Sequence, residues 1–282
     1  MKNAPTLRQF ALDDTDQVEA EIFDQVRSMW VERPPSPYLV VIPAYNEAES
    51  LAYVASRIPE TIGGVKPAVL VVDDGSSDDT LAVAKDLGLS AVRSPINRGQ
   101  GASLRSGYLI AIRYGFKVVA IVDADGQWDP ADLTLVMDPV VTGRAEISQG
   151  SRSLGETQVG DRFRDMGVVF FAKLISLVTR TRITDTSSGI RAISVLLLEQ
   201  LRLEQPQYQS SELLISALFA GGRLAEVPVV MKPRYAGTTK KGRNLRYAMS
   251  YTRAVVTTSL RELLLTRDLR REQARAKVAR AA

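Results

Sequence analysis

Between Val118 and Pro130 the chain reads VVAIVDADGQWDP, an apolar run that ends in two carboxylates one residue apart. In an extended strand, residues two apart project to the same side, so Asp123 and Asp125 would converge on one cation at the strand's end. Gln127 continues that phase. Two carboxylates with a neutral oxygen suit a hard ion such as Mg²⁺ or Mn²⁺, which keeps positions open for phosphate oxygens. The competing reading is a strand that runs out of core and meets a polar loop. A second acidic strand end, VVDDGSSDDT, bears on that choice. There Gly75 permits a sharp exit, Ser76 or Ser77 can cap the helix that follows, and Asp78 and Asp79 suit its dipole. Capping leaves Asp73 and Asp74 unexplained, and carboxylates at that place can accept hydrogen bonds from a base or a ribose. Further on, NRGQGASLRSG sets two glycines ahead of a helix, either to aim backbone N–H groups at a phosphate or to let the helix pack closely.

Composition narrows the chemistry. The 282 residues include no cysteine and no histidine, which excludes disulfides, thiolate nucleophiles, imidazole bases and the common zinc sites. Any acid, base or metal ligand must be a carboxylate, an amide, a hydroxyl, Lys or Arg. The N-terminus lacks the pattern of a secretory signal, and no apolar run approaches the ~20 residues that span a bilayer, so a cytoplasmic location is expected. The net charge of +4 is unevenly spread: from Lys232 onward 14 Lys/Arg stand against 3 Asp/Glu, and the residues before it carry 22 against 29. The basic end reads as an anion or membrane-surface contact. Apart from Tyr247 and Tyr251 its residues 241–282 lack the aromatic side chains that stack bases, which argues against nucleic acid.

Three segments are expected. Residues 1–37 form an acidic leader that ends in the linker ERPPSP; residues 38–240 form an α/β domain; residues 241–282 form a basic, amphipathic helical tail. In the central segment, continuously apolar β-branched runs alternate with helical ones. That pattern calls for a mostly parallel sheet covered by helices on both faces, with the loops after the strands gathered along one edge. In the tail, Val256, Leu260, Leu263 and Leu264 repeat at helical spacing.

The motifs PAYNE, DDGSSDDT, NRGQGASLRSG, DADGQWDP, GSR and DTSSGIRA, in this order and spacing, resemble the family 2 glycosyltransferases of the GT-A fold, a Rossmann-like architecture. Within that family the chain is most similar to the dolichyl- or polyprenyl-phosphate sugar synthases. The resemblance implies that Pro43, Tyr45, Glu47 and Asp74, with Asp73 beside them, face the donor nucleotide, and that Asp123, Asp125 and Gln127 hold Mg²⁺ or Mn²⁺ and the diphosphate. It assigns Arg152, Arg164, Arg234 and Lys240 to phosphate groups of donor or acceptor. Asp185, Ser188 and Gly189 would line the acceptor side. Val168 stands where the family carries a Ser.

The function so implied is metal-dependent, inverting transfer of a sugar from a UDP- or GDP-linked donor to a polyprenyl phosphate, with peripheral contact at the cytoplasmic membrane face. In that case Arg234 aligns the anionic acceptor. The alternatives are transfer to a soluble hydroxyl acceptor, for which Asp185 or Glu212 would serve as the base, and a non-catalytic nucleotide-binding partner.

Overall fold

The computed structural model describes residues 6–11, 16–30, 36–160, 162–205, 207–237 and 245–281; in 162–165, 245–248 and 268–281 it describes the backbone alone. In chain order the elements are α1 (Leu7–Ala11), α2 (Gln17–Met29), β1 (Tyr38–Ala44), α3 (Ala48–Ser56), β2 (Ala68–Asp73), α4 (Thr80–Asp86), β3 (Ser90–Arg93), α5 (Gln100–Arg113) and β4 (Val118–Val122). They continue as α6 (Leu133–Val141), β5 (Ile147–Thr157), α7 (Arg162–Thr179), β6 (Ile190–Ser194), α8 (Val195–Leu198), α9 (Gln209–Phe219), β7 (Leu224–Met231) and α10 (Leu245–Ala281).

The strands form one sheet of seven in the order β3-β2-β1-β4-β6-β5-β7. All neighbours are parallel except β6, which runs antiparallel to both β4 and β5. The expected mostly parallel α/β sheet is therefore what forms. Strand alternation divides the apolar runs between two cores. Leu39, Val41, Leu70 and Val72 point into one, while Val40, Ile42 and Val71 point into the other, which is why the runs carry no polar face. Helix α5 approaches β1 closely at Gly107, where a Cβ would lie 2.6 Å from Val41 Cγ1.

Two features place the loops that matter. The chain runs outward through β1, β2 and β3 and then crosses back to lay β4 on the other side of β1, so the crevice opens beyond the carboxyl ends of β1 and β4. Because β6 is antiparallel, its first residue pairs with the last of β4, Ile190 with Val122, and the preceding segment arrives beside the acidic turn.

The leader folds onto this body. Leu7, Ala11, Ile22, Phe23 and Val26 enter the first core. The Gln25 side chain donates to the Arg93 carbonyl (2.9 Å) and accepts from the Arg93 N–H (2.8 Å), so α2 occupies the otherwise open edge of β3. In the tail, Tyr251, Ala254, Val255 and Thr258 are the buried face of α10. The stripe legible in the sequence, Val256, Leu260, Leu263 and Leu264, lies exposed on the opposite side.

The Gly107 contact makes a test of packing. Gly107→Ala should destabilise the protein by about 1–3 kcal/mol through overpacking, and adding Val41→Ala should recover part of the loss. Urea denaturation of the single and double variants reads this directly.

Candidate active site

A cavity of about 460 Å³ sits in the crevice at the strand ends. The end of β1 contributes Pro43 and the loop after it Tyr45 and Glu47, the loop after β2 Asp74, the loop after β4 Asp123 and Asp125, and the segment after β7 Arg234.

The acidic turn differs from its expected form in a way that matters. β4 ends at Val122, and residues 123–127 turn rather than extend, with Gly126 at φ +70°. Asp123 and Asp125 thus meet the cavity by a turn, not by strand alternation. Gln127 is carried away from them: its N–H donates to Asp125 Oδ1 (3.0 Å), its side-chain amide donates to the Lys232 carbonyl (3.3 Å), and it does not line the cavity. The turn is pinned from both sides. The Asp123 N–H donates to the Gly189 carbonyl (3.0 Å), and the Tyr235 N–H to the Asp125 carbonyl (3.0 Å). At Gly189 a Cβ would fall 2.2 Å from Asp123 Oδ2, so no larger residue fits beside that carboxylate.

Each cavity carboxylate has an offsetting partner. Gln100 donates to Asp123 Oδ1 at 2.8 Å. Arg234 bridges two elements, with Nη1 donating to Asp125 Oδ2 (2.8 Å) and Nη2 to Glu47 Oε1 (2.5 Å). Tyr235, next to it, stacks on Tyr53 of α3 at 4.2 Å between centroids. Asp74 accepts from the backbone N–H of Arg98 (3.0 Å) and Gly99 (2.7 Å), and burial holds its carboxyl above the usual range although those N–H groups oppose the shift. A divalent cation fits Asp123 and Asp125, which supply two hard anionic oxygens. Among the described residues no group of three or more acidic side chains is placed to hold a metal ion by itself.

Other expected residues lie elsewhere. Asp73 is buried behind the cavity, where it accepts from the N–H and hydroxyl of Ser76 and faces Arg93 Nε at 3.6 Å; it fixes the DDGSS turn. Arg152 and Asp185 form a buried bidentate pair, Nε to Oδ2 at 2.7 Å and Nη2 to Oδ1 at 3.1 Å, so neither reaches the cavity. Glu212 is also buried. Its two oxygens accept the N–H groups of Glu204 and Gln205 at 2.9 Å each, Arg261 Nη1 lies 3.0 Å away, and burial pushes its carboxyl pKa up. Ser188 turns inward to the Ile190 backbone, and its neighbour Ser187 lines the cavity instead. Arg164 belongs to α7 with its side chain outside the described residues, and Lys240 lies outside them altogether.

The sequence reading missed Gln100, Gln207, Tyr208, Gln209 and Tyr251 among the lining residues. Gln100 lay within the glycine-rich turn, where only backbone chemistry was weighed. Tyr251 stands on the tail helix, far from every motif, and carried no local signal.

The sequence profile of Glycosyl transferase family 2 matches residues 39–202. The chain belongs to that family. The family 2 transferase is similar to the polyprenol monophosphomannose synthase of Mycolicibacterium smegmatis, with 32% identity over 230 residues covering 77% of this chain and 86% of that one. It is also similar to the UDP-N-acetylglucosamine–dolichyl-phosphate N-acetylglucosaminyltransferase of Methanococcus voltae, with 28% identity over 214 residues covering 67% and 83%. Among solved structures, glucosyl-3-phosphoglycerate synthase from Mycobacterium tuberculosis, in complex with Mn²⁺, UDP-glucose and phosphoglyceric acid, superposes with a TM-score of 0.60. At 22% identity, over 86% of this chain and 83% of that one, this likeness establishes the fold, GT-A.

Asp129 closes the acidic motif of this family 2 transferase and carries a pH signature. Burial, the largest single influence, pushes its carboxyl up, but the Arg57 guanidinium, the Ala131 N–H and the Lys232 ammonium together outweigh it and hold the pKa at about 2. A depressed folded-state value means the contribution is complete above the ordinary value of 3.8 and is lost as pH falls through about 2. Thermal midpoints measured between pH 5 and 2 should therefore fall more steeply for the wild type than for Asp129→Asn.

Proposed function

We propose that this glycosyltransferase moves a sugar from a UDP- or GDP-linked donor to a polyprenyl phosphate, with Mg²⁺ or Mn²⁺ at Asp123 and Asp125. The observation that carries the reading is the meeting of Glu47, Asp123, Asp125 and Arg234 in one cavity at the switch point of the sheet. The activities for which the polyprenyl- and dolichyl-phosphate relatives are named support the acceptor class.

In this reading Pro43, Tyr45 and Asp74 face the nucleotide, and Asp123 and Asp125 place the diphosphate at the turn. A bound cation would supply Lewis-acid stabilisation to the departing diphosphate. Among the described residues Arg234 is the cation that lines the same cavity, placed to offset anionic charge there. A phosphate acceptor arrives already ionised and needs no base to attack the anomeric carbon. The burial of Asp185 and Glu212 in ion pairs supports this acceptor, because both carboxylates named for a hydroxyl acceptor lie outside the cavity.

The outer surface favours a lipid-borne acceptor. On α7, Met166, Val169, Phe170 and Leu177 are exposed, and on α10 Met249, Val256, Leu260, Leu263 and Leu264. Lys173, Arg253 and Arg267 are exposed on the same two helices. Among their described side chains the one acid is Glu262, which is taken up by Ser216 and Arg261. Apolar faces dotted with cations suit an anionic bilayer surface, at the cytoplasmic face of the membrane.

Turnover with polyprenyl phosphate and with simple sugars tests the reading. Asp125→Asn and Arg234→Ala should each lose ~100-fold or more in rate while the far-UV spectrum stays intact. Glu212→Gln should instead lower the thermal midpoint and leave kcat within a few-fold. Transfer to sugars alone would refute the phosphate acceptor. A separate measurement addresses the surface: sedimentation with anionic vesicles should fall in high salt and in the double variant Phe170→Asp, Leu260→Asp, and binding that ignores both would remove the membrane contact.

A further inference from the structure

The geometry points to Glu19, in the leader helix α2, as a positioning residue for the donor-binding turn at 97–101, a role that rests on the donor reading given above. Asp16 caps α2 by accepting from the N–H groups of Val18 (3.1 Å) and Glu19 (3.2 Å), which fixes Glu19 in the first turn of the helix. Its carboxylate is buried at 4% exposure, where Oε1 accepts from Arg98 Nη1 (3.0 Å) and from the Ser106 hydroxyl (3.0 Å), and the Arg98 Nη2 donates to that same hydroxyl (3.1 Å). A buried ion pair is weak evidence of stability, since desolvation offsets much of its attraction. What this pair does achieve is to hold one residue of the turn, flanked on each side by a residue that lines the cavity.

Arg98 is that residue. Its side chain is held by the leader and its backbone N–H by Asp74 Oδ1 (3.0 Å), while the next N–H, of Gly99, donates to Asp74 Oδ2 (2.7 Å). Gly99 sits at φ +90°, and Gln100 then opens α5 and donates to Asp123 Oδ1. The chain of contacts thus runs from Glu19 through Arg98 to Gln100 and the acidic turn. A second tie fixes α2 itself: Gln25 grips the Arg93 backbone, and the Arg93 guanidinium donates to the Ser76 carbonyl (2.6 Å) at the foot of the DDGSS turn. The leader lies outside the stretch that matches the family, residues 39–202, so this device belongs to the chain's own N-terminal segment.

The test compares Glu19→Gln, which keeps the shape and removes the charge, with Ile22→Ala, which opens the core under the same helix and touches no cavity residue. Two readouts on the full chain are amide hydrogen exchange across 95–103 without ligand and the dissociation constants of UDP and GDP with Mn²⁺. Glu19→Gln should exchange faster at 97–101 and bind the nucleotide about 10-fold more weakly with the acceptor KM unchanged, whereas Ile22→Ala should lower the thermal midpoint without either effect. Unchanged exchange in Glu19→Gln, or equal loosening and equal loss of affinity in Ile22→Ala, would overturn the positioning role. If the wild type binds neither nucleotide, the donor reading and the positioning of a donor fall together, while faster exchange in Glu19→Gln alone would show the tether to be structural.

Discussion

Four carboxylates, Glu47, Asp74, Asp123 and Asp125, line a single cavity, and like charges in a partly dry cleft raise one another's free energy unless each is offset. The chain meets this constraint with groups from three places in its fold. Backbone N–H groups ahead of α5 hold Asp74, the first residue of α5 holds Asp123, and Arg234 beyond β7 spans Glu47 and Asp125. Arg234 lies 187 positions from Glu47, so the site is assembled only when the whole sheet is. No fragment of the chain could hold these acids together against their repulsion.

Behind the cavity lies a second set of charges that never meets it. Arg152 with Asp185 is a buried pair, buried Glu212 pairs with Arg261, and half-buried Glu226 accepts from the backbone of Thr184 and Asp185. Their partners are loop backbones and neighbouring helices, so they set where the loops stand. Asp185 holds Arg152, whose Nη2, shared with Asp185 Oδ1, also donates to the hydroxyl of Ser187 (2.8 Å), a residue of the cavity wall. The inner pairs thus fix the shape of the wall while the outer carboxylates supply its charge.

The separation explains what the sequence disclosed. Strand runs and the acidic strand ends were legible because burial on both faces and carboxylates at an apolar run's end are local signals; Asp74, Asp123 and Asp125 line the cavity, joined by Glu47, which the family resemblance alone had named. Which acids face outward was not legible, since Asp73 and Asp74 are adjacent in the chain and a single turn sends one inward and the other to the cavity. Gln127 failed for a related reason: the strand phase that would align it ends at Val122, and Gly126 redirects the backbone. The antiparallel β6 carried no mark in its own residues, because direction is set by the partner strands. In the tail, period-3.6 patterning found a real and exposed stripe but gave no sign of the face that α10 buries, Tyr251, Ala254, Val255 and Thr258, which is made partly of small and hydroxyl residues.

That two-sidedness bears on the acceptor. Tyr251 lines the cavity from α10, and Phe171 of α7 packs on it edge to face at 4.6 Å, so the inner sides of both helices belong to the site or its support. Their outer sides expose Phe170, Leu177, Leu260 and Leu264. A helix with its side chains is about 10–12 Å across, so the cavity wall and the apolar surface are separated by a single helix. An acceptor with a phosphate head and a hydrocarbon tail can place one at the cavity and the other along such a surface. A free sugar needs neither the outer face nor its cations, and it would require a base from a cavity whose carboxylates already hold Arg234, Gln100 and backbone N–H groups. Drawing on Asp185 or Glu212 would mean breaking a buried ion pair, which costs on the order of 3–5 kcal/mol before any chemistry begins. Under the proposed reading, an acceptor that brings its own negative charge avoids that cost.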